Sequence, residues 1–366
     1  MVSFRRRLNA WYRQHARPLP WRETSDPYSI WVSEIMLQQT TVAAVIPFYH
    51  RFLTRFPTVR QLADASEEEV LQYWEGLGYY SRGRNLRKAA IEIVNQFDGE
   101  FPRAVADLER LPGIGRYTAG AIRSFAFDLP APIVEANTQR LYARLIGLDG
   151  DVASASGKST LWSFAERLQP KKSAGKLNQA LMELGAQVCT VSNPRCEQCP
   201  VPMHCQAFAT GRQETIPTRK ARPQLTHLVE ATCAIHRDDR FLVRLRQPDE
   251  RWAGLWDFPR FELSALKYED RSTQRRIHKL IRECEESLRQ ELAVSVTQGE
   301  LVHELKHGVT RYAIRLFCLT WELEGPTNIP GDRFSWKTLT ELETTPMPVT
   351  GRKFVSWLKR RKNRVP

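Results

Sequence analysis

Four cysteines constrain this chain more than any other feature. Cys189, Cys196, Cys199 and Cys205 are spaced C-x6-C-x2-C-x5-C. Soft thiolates packed this closely in one short stretch point to a metal centre. Zinc sites usually pair two short C-x2-4-C arms, and only one arm here is short. The long first gap, Thr190 to Arg195, suits a loop wrapped around a larger object, so a [4Fe–4S] cluster fits better than one zinc ion. Zinc and disulfide pairing are the alternatives. The other three cysteines, Cys233, Cys284 and Cys318, stand alone, as expected in a reducing cytoplasm.

The chain has 366 residues and a formal net charge of +13. That length suggests two or three domains. The basic excess suggests a polyanionic partner, most simply nucleic acid, although a charge kept for solubility would read the same way. No apolar run reaches the ~18 residues that span a bilayer, so no membrane partner is expected. The segment from Met1 to Arg17 is Arg-rich but lacks the apolar core of a secretory signal. A mitochondrial presequence is harder to dismiss on charge alone. Phe4, Leu8, Trp11 and Tyr12, however, recur at helical spacing and read as a helix packed on the fold.

Residues 1–212 read as mostly helical. Tyr28 to Ile46 has no Gly or Pro, and Asp26-Pro27 ahead of it is a good helix start. Further helices are predicted at Val59–Trp74, Arg82–Gln96, Pro102–Arg110, Arg116–Phe127, Thr138–Ile146, Thr160–Leu168 and Leu177–Val188. Residues 213–226, basic and proline-containing, read as a linker. Residues 227–366 read as a mixed α/β domain. Its strands are expected at Val229–His236, Phe241–Leu245 and Arg311–Trp321, and its helices at Ser272–Ala293 and near Arg352–Lys359.

Between two helical patterns lies Leu111-Pro112-Gly113-Ile114-Gly115. Its glycines permit a tight turn and leave N–H groups unshielded at the start of a helix, which makes an anion site suited to a DNA phosphate. A plain helix–helix turn would look similar. Glu34 lies among Ile35, Met36 and Leu37 on a predicted helix. An acid in such surroundings has a raised pKa and can hold a proton near neutrality.

The hairpin Leu111–Ile122 (LPGIGRYTAGAI), followed by the four-cysteine pattern, resembles the helix-hairpin-helix DNA glycosylases that carry an iron–sulfur cluster. Within them the match is to the adenine DNA glycosylases of the MutY type. Trp31–Thr40 (WVSEIMLQQT), Glu75–Asn85 (EGLGYYSRGRN) and Asn178–Thr190 (NQALMELGAQVCT) match as well, as does Trp252–Pro259 (WAGLWDFP), more weakly. The resemblance implies a six-helix barrel with an iron–sulfur subdomain over 1–212 and a C-terminal α/β Nudix-like domain over 227–366. It implies excision of adenine mispaired with 8-oxoguanine or guanine in double-stranded DNA, by a cytoplasmic monomer.

The resemblance also distributes roles. Glu34 would protonate adenine. Glu135 would be the second carboxylate, in Glu135-Ala136-Asn137 where the family usually has Asp-Gly-Asn. Asn137 and Tyr117 would support the site. Tyr117 stands where lyase relatives carry the lysine that forms a Schiff base, so a monofunctional enzyme is expected. Gln39 and Tyr79 would enter the duplex, with Leu111, Gly113 and Gly115 on the backbone. Trp21, Arg22 and Gln179 would line the base pocket. Arg282–Val296 matches a Nudix hydrolase box poorly, which argues for recognition rather than hydrolysis there. The turn that senses 8-oxoguanine would correspond to Leu305-Lys306-His307, with only the His kept, and weak lesion discrimination is expected.

Overall fold

The structure is a computed structural model that describes residues 1–218, 224–292, 294, 296, 298–323 and 333–362. Residues 219–223 of the expected linker lie outside the described residues. The chain divides into two compact units. One comprises Met1–Ala65 and Arg82–Ala221; the other comprises Ser66–Ser81 and Arg222–Pro366. The short 66–81 segment therefore groups with the C-terminal residues, a pairing that no local sequence pattern signals.

The first unit is helical. Its N-terminal helix, Val2–His15, buries Phe4, Leu8, Trp11 and Tyr12. They pack against Leu141, Leu145, Leu177, Leu181 and Leu184 from two later helices, Ala136–Ile146 and Ala174–Gln187. The spacing of these apolar residues along each helix forms the stripe that the core requires.

Two predicted helices are each broken in two. Tyr28–Ile46 resolves into Pro27–Leu37, capped by the Asp26 carboxylate, and Val42–Arg55, capped by the Thr41 hydroxyl. The break has a tertiary cause. The Arg82 guanidinium donates to the carbonyls of Ile35 (2.7 Å), Met36 (3.1 Å) and Gln38 (2.5 Å). Those are the orphan acceptors that a helix end must satisfy. Gln39 follows with φ of 57°. Val59–Trp74 likewise resolves into Val59–Asp64 and Glu67–Trp74, the second started by the Ser66 hydroxyl accepting from the N–H of Glu69.

Among the described residues, the second unit holds a seven-stranded sheet. The strands are β1 (Thr226–Arg237), β2 (Arg240–Leu245), β3 (Trp256–Asp257), β4 (Arg260–Glu262), β5 (Glu300–Val309), β6 (Tyr312–Glu322) and β7 (Phe334–Thr338). The order is β3-β2-β1-β6-β5, with β4 beside β1 and β7 beside β2. β1 and β6 run parallel and the remaining pairs are antiparallel. Side chains alternate across the two faces. Cys233, Ile235, Phe317 and Leu319 pack against Leu280, Cys284 and Leu288 of the helix Gln274–Leu292. Ala234, Val243, Leu316 and Cys318 face Phe354, Val355 and Leu358 of the helix Val349–Lys362. A sheet buried on both faces between helices is a three-layer α/β arrangement.

Within the helix Gln274–Leu292, Glu283 accepts from the N–H groups of Ser264 (2.6 Å) and Ala265 (2.8 Å) and from the Ser264 hydroxyl (2.7 Å). Both its oxygens are thus engaged in fixing a loop.

Candidate active site

The helix Pro27–Leu37 places Glu34 in the interior, 4% exposed among Ile30, Trp31, Ile35 and Met36. The Tyr117 hydroxyl, from the helix Arg116–Phe127, donates to Glu34 Oε2 at 2.6 Å. Burial pushes Glu34 up to about 7; the Tyr117 hydrogen bond and the Arg22 charge oppose the rise, while the Glu135 charge adds to it. Burial and the nearby carboxylates hold Tyr117 well above the ordinary tyrosine range, so its hydroxyl remains a donor. With Oε2 engaged by Tyr117, Oε1 is the atom available to carry a proton outward.

Glu135 starts the helix Ala136–Ile146. Its Oε1 accepts from the N–H of Thr138 (2.8 Å), and its Oε2 from the N–H of Asn137 (2.8 Å) and from Asn137 Nδ2 (3.3 Å). Its own N–H donates to the Thr138 hydroxyl (2.9 Å), closing a capping box. The longer stem of Glu is thus folded back onto its helix start. Burial raises the Glu135 pKa, and the two backbone donors oppose that rise.

Asn137 is held in turn. Its Oδ1 accepts from Arg140 Nη2 (2.9 Å), while Arg140 also donates to the carbonyls of Gly185 (2.6 Å) and Cys189 (2.7 Å). At Gly185 a Cβ would lie 2.8 Å from the Asn137 carbonyl oxygen, so a residue with a side chain would push the helix Ala174–Gln187 off this segment.

Glu34, Tyr117, Glu135 and Asn137 line one cavity of about 750 Å³. Trp21, Arg22, Gln39 and Gln179 line it too. The side-chain amide oxygen Oε1 of Gln179 accepts from the Tyr12 hydroxyl (2.7 Å). Arg22 is fixed by Glu183, which also binds Arg17 (2.6 Å to each). Burial alone would raise Glu183; the two guanidiniums instead bring it down to about 2. Arg17, Met182 and Glu183 also line the cavity and Arg140 holds Asn137; sequence reasoning misses all four. Nothing about an isolated Glu183 or Arg140 distinguishes it from a surface charge on a helix.

The hairpin also takes form. Ile114 N–H closes a turn onto the Leu111 carbonyl (3.1 Å). Gly113 has φ of 78° and sits against Asn85, where a Cβ would lie 2.9 Å from the asparagine Cβ. Gly115 caps the helix Arg116–Phe127. The Leu111 side chain is buried. Tyr79 is 42% exposed with φ of 48° and is not among the cavity residues.

The four cysteines line one recess with Leu141, Leu145 and Val188. Arg144 Nη1 donates to Cys189 Sγ (3.3 Å), and Cys205 Sγ lies 3.4 Å from the Arg144 carbonyl oxygen. Among the described residues, no three His, Cys, Asp or Glu side chains form a group able to hold a single metal ion.

The expected lesion-sensing turn is corrected by the structure. Leu305, Lys306 and His307 lie within strand β5, paired with Leu316, Arg315 and Ile314 of β6. Exposure alternates from Leu305 to Val309, as a strand requires, and the tight turn falls instead at Thr310-Arg311, between β5 and β6. His307 lies beside Arg260 (3.3 Å between Nε2 and Nη2), and burial with that charge lowers its pKa to about 4. Lys306 is exposed, its ammonium 5.7 Å from the Tyr268 ring centre.

Comparison with known proteins agrees with this architecture. Residues 32–167 match the HhH-GPD superfamily of base excision DNA repair proteins, and residues 231–357 match the NUDIX domain. An adenine DNA glycosylase of Rattus norvegicus is 35% identical over 93% of this chain and 75% of its own length. One of Homo sapiens is 33% identical over 94% and 72%. A solved thermostable thymine-DNA glycosylase superimposes with a TM-score of 0.52 at 29% identity, covering 57% of this chain and 95% of that one. A buried carboxylic acid, a second carboxylate and a hairpin of backbone donors, in a chain so similar to these relatives, make it a member of the adenine DNA glycosylase family of base excision repair enzymes.

Proposed function

We propose that this glycosylase hydrolyses the N-glycosidic bond of adenine mispaired with guanine or 8-oxoguanine, without lyase chemistry. The observation that carries the reading is Glu34, buried, raised to about 7 and held by Tyr117 in a cavity that also contains Glu135. In this reading Glu34 Oε1 gives its proton to a ring nitrogen of the extruded adenine. The C1′–N bond then breaks, its electron pair leaving with the base. The Glu135 carboxylate stabilises the oxocarbenium ion that remains. Water adds to C1′, and its proton returns to Glu34. Tyr117 supplies a hydroxyl where a lyase needs an amine, so the product is an abasic site.

Extrusion needs something to fill the duplex. Gln39, at the rim of the cavity, and Tyr79 serve as wedges. Trp21, Arg22 and Gln179 enclose the base, and backbone N–H groups around Gly113 and Gly115 hold a phosphate. Lys306 faces the DNA as a phosphate contact on a lesion-recognition domain, beside Leu305 and His307.

Cys189, Cys196, Cys199 and Cys205 would hold a [4Fe–4S] cluster. Four soft sulphurs around one recess walled by Leu141, Leu145 and Val188 fit such a centre, and Arg144, which donates to Cys189 Sγ, would stabilise its negative charge. The cysteines lie about 50 residues beyond Glu135, so the cluster would serve folding and DNA binding, outside the bond-breaking step. The whole chain would act as a cytoplasmic monomer.

The decisive experiment measures single-turnover adenine release from duplexes with A opposite 8-oxoguanine, G or C. Release from the first two is expected. Tight binding with no release from any mispair would replace the enzyme reading with that of a mismatch-binding protein.

A further inference from the structure

Glu75 follows the helix Glu67–Trp74 and belongs to the same compact unit as the C-terminal residues. Its side chain is half-buried, 15% exposed. Oε1 accepts from Arg352 Nε (2.6 Å), and Oε2 accepts from Arg352 Nη2 (2.7 Å) and from the Met347 N–H (3.1 Å). This is the two-pronged fork that guanidinium and carboxylate planes allow. The same guanidinium donates to the carbonyls of Leu342 and Thr345, at the end of the helix Leu339–Thr344. One side chain therefore joins a helix terminus, a loop and Glu75, across 277 positions of sequence.

Glu75 opens the turn that presents Tyr79. Trp74 Nε1 donates to the Gly78 carbonyl (3.1 Å), and the Gly76 N–H lies 3.4 Å from the Tyr80 hydroxyl. Tyr79 has φ of 48° with its ring partly in solvent. A bulky residue keeps such a conformation only where its surroundings over-determine it. The proposed chemistry uses neither Glu75 nor Arg352.

We infer that Glu75 and Arg352 form a positioning clamp: they anchor the Tyr79 turn to residues 342–352, so that the wedge is presented in one preformed conformation. This rests on the reading of Tyr79 as a wedge. The clamp acts through Tyr79 and contributes no contact to the base.

A double-mutant cycle in the full chain tests it. The probe is a duplex holding a non-hydrolysable adenine analogue opposite 8-oxoguanine, with 2-aminopurine as the neighbouring base to report unstacking. Glu75→Ala is expected to weaken binding about tenfold and to diminish the 2-aminopurine signal. In a Tyr79→Ala background the same change is expected to cost under about twofold, because coupled residues are non-additive. Arg352→Lys keeps the charge but loses the fork, and about a threefold loss is expected. Equal losses from Glu75→Ala in both backgrounds, or no loss in either, overturn the clamp while leaving the wedge in place. If Tyr79→Ala itself binds and unstacks like the natural chain, the wedge reading fails and the clamp with it.

Discussion

The Tyr117 hydroxyl donates a 2.6 Å hydrogen bond to Oε2 of Glu34, a residue 83 positions earlier in the chain. Two helices are thereby joined at one acid whose pKa burial has already raised to about 7. The pair makes the chemistry testable by substitution and by pH.

Glu34→Gln keeps the shape and loses the proton. Single-turnover adenine release should fall by at least ~10²-fold with DNA affinity retained. The variant should also be more stable than the natural chain at pH 8. Between an ordinary 4.5 and about 7, the folded state holds a proton that the unfolded state releases, so stability falls as pH rises through that window. Removing the carboxyl removes that loss. Thermal melts at pH 4 and pH 8 check it, and an advantage at pH 4 alone would contradict the sign.

Tyr117→Phe removes an interaction that lowers the Glu34 pKa. The alkaline fall in single-turnover rate, expected near pH 7, should move to higher pH. At pH 6 the rate should drop by about three- to tenfold, because one hydrogen bond of about 1 kcal/mol no longer orients the acid. A pH–rate profile that keeps its position would separate Tyr117 from Glu34.

At residue 135 the longer acid is folded into a capping box with Thr138. Asp is also a good helix cap, so Glu135→Asp should melt within a few degrees of the natural chain. Its carboxylate would sit further back, and a shift on the order of 1 Å should slow release about tenfold or more. Glu135→Gln should nearly abolish release. Faster release by Glu135→Asp would show that Glu is a handicap here.

Cys199→Ser should lower the iron content from about four per chain and bleach the brown colour expected of the natural protein. Folding or DNA binding should suffer more than the rate of bond cleavage in bound complexes. Stoichiometric zinc without iron, in protein prepared without oxygen, would exclude the cluster.

Much of this was legible in the sequence for a physical reason. Phe4, Leu8, Trp11 and Tyr12 are spaced as a helix face must be, and they enter the core together. Asp26-Pro27 marked a helix start because capping chemistry is local. The end of that helix was not legible, because it is written at Arg82, whose guanidinium takes the Ile35, Met36 and Gln38 carbonyls. Leu305–His307 reads as a turn for the opposite reason: a short motif is local, whereas pairing with β6 decides its conformation. Glu34 and Tyr117 could be named singly, but their hydrogen bond belongs to the fold.

The Glu183 carboxylate joins Arg17 and Arg22 across 166 and 161 positions, and Tyr12 meets Gln179 across 167. One wall of the cavity is thus made by residues that a ribosome delivers far apart in time. Until the helix Ala174–Gln187 has emerged, Arg17 and Arg22 have no counter-charge there, and Tyr12 lacks its acceptor. About four-fifths of residues 1–212 precede that helix, so Glu34 leaves the exit tunnel well before the cavity around it is closed. Completion of that cavity is a late event in the synthesis of the domain, set by the order of the residues along the chain.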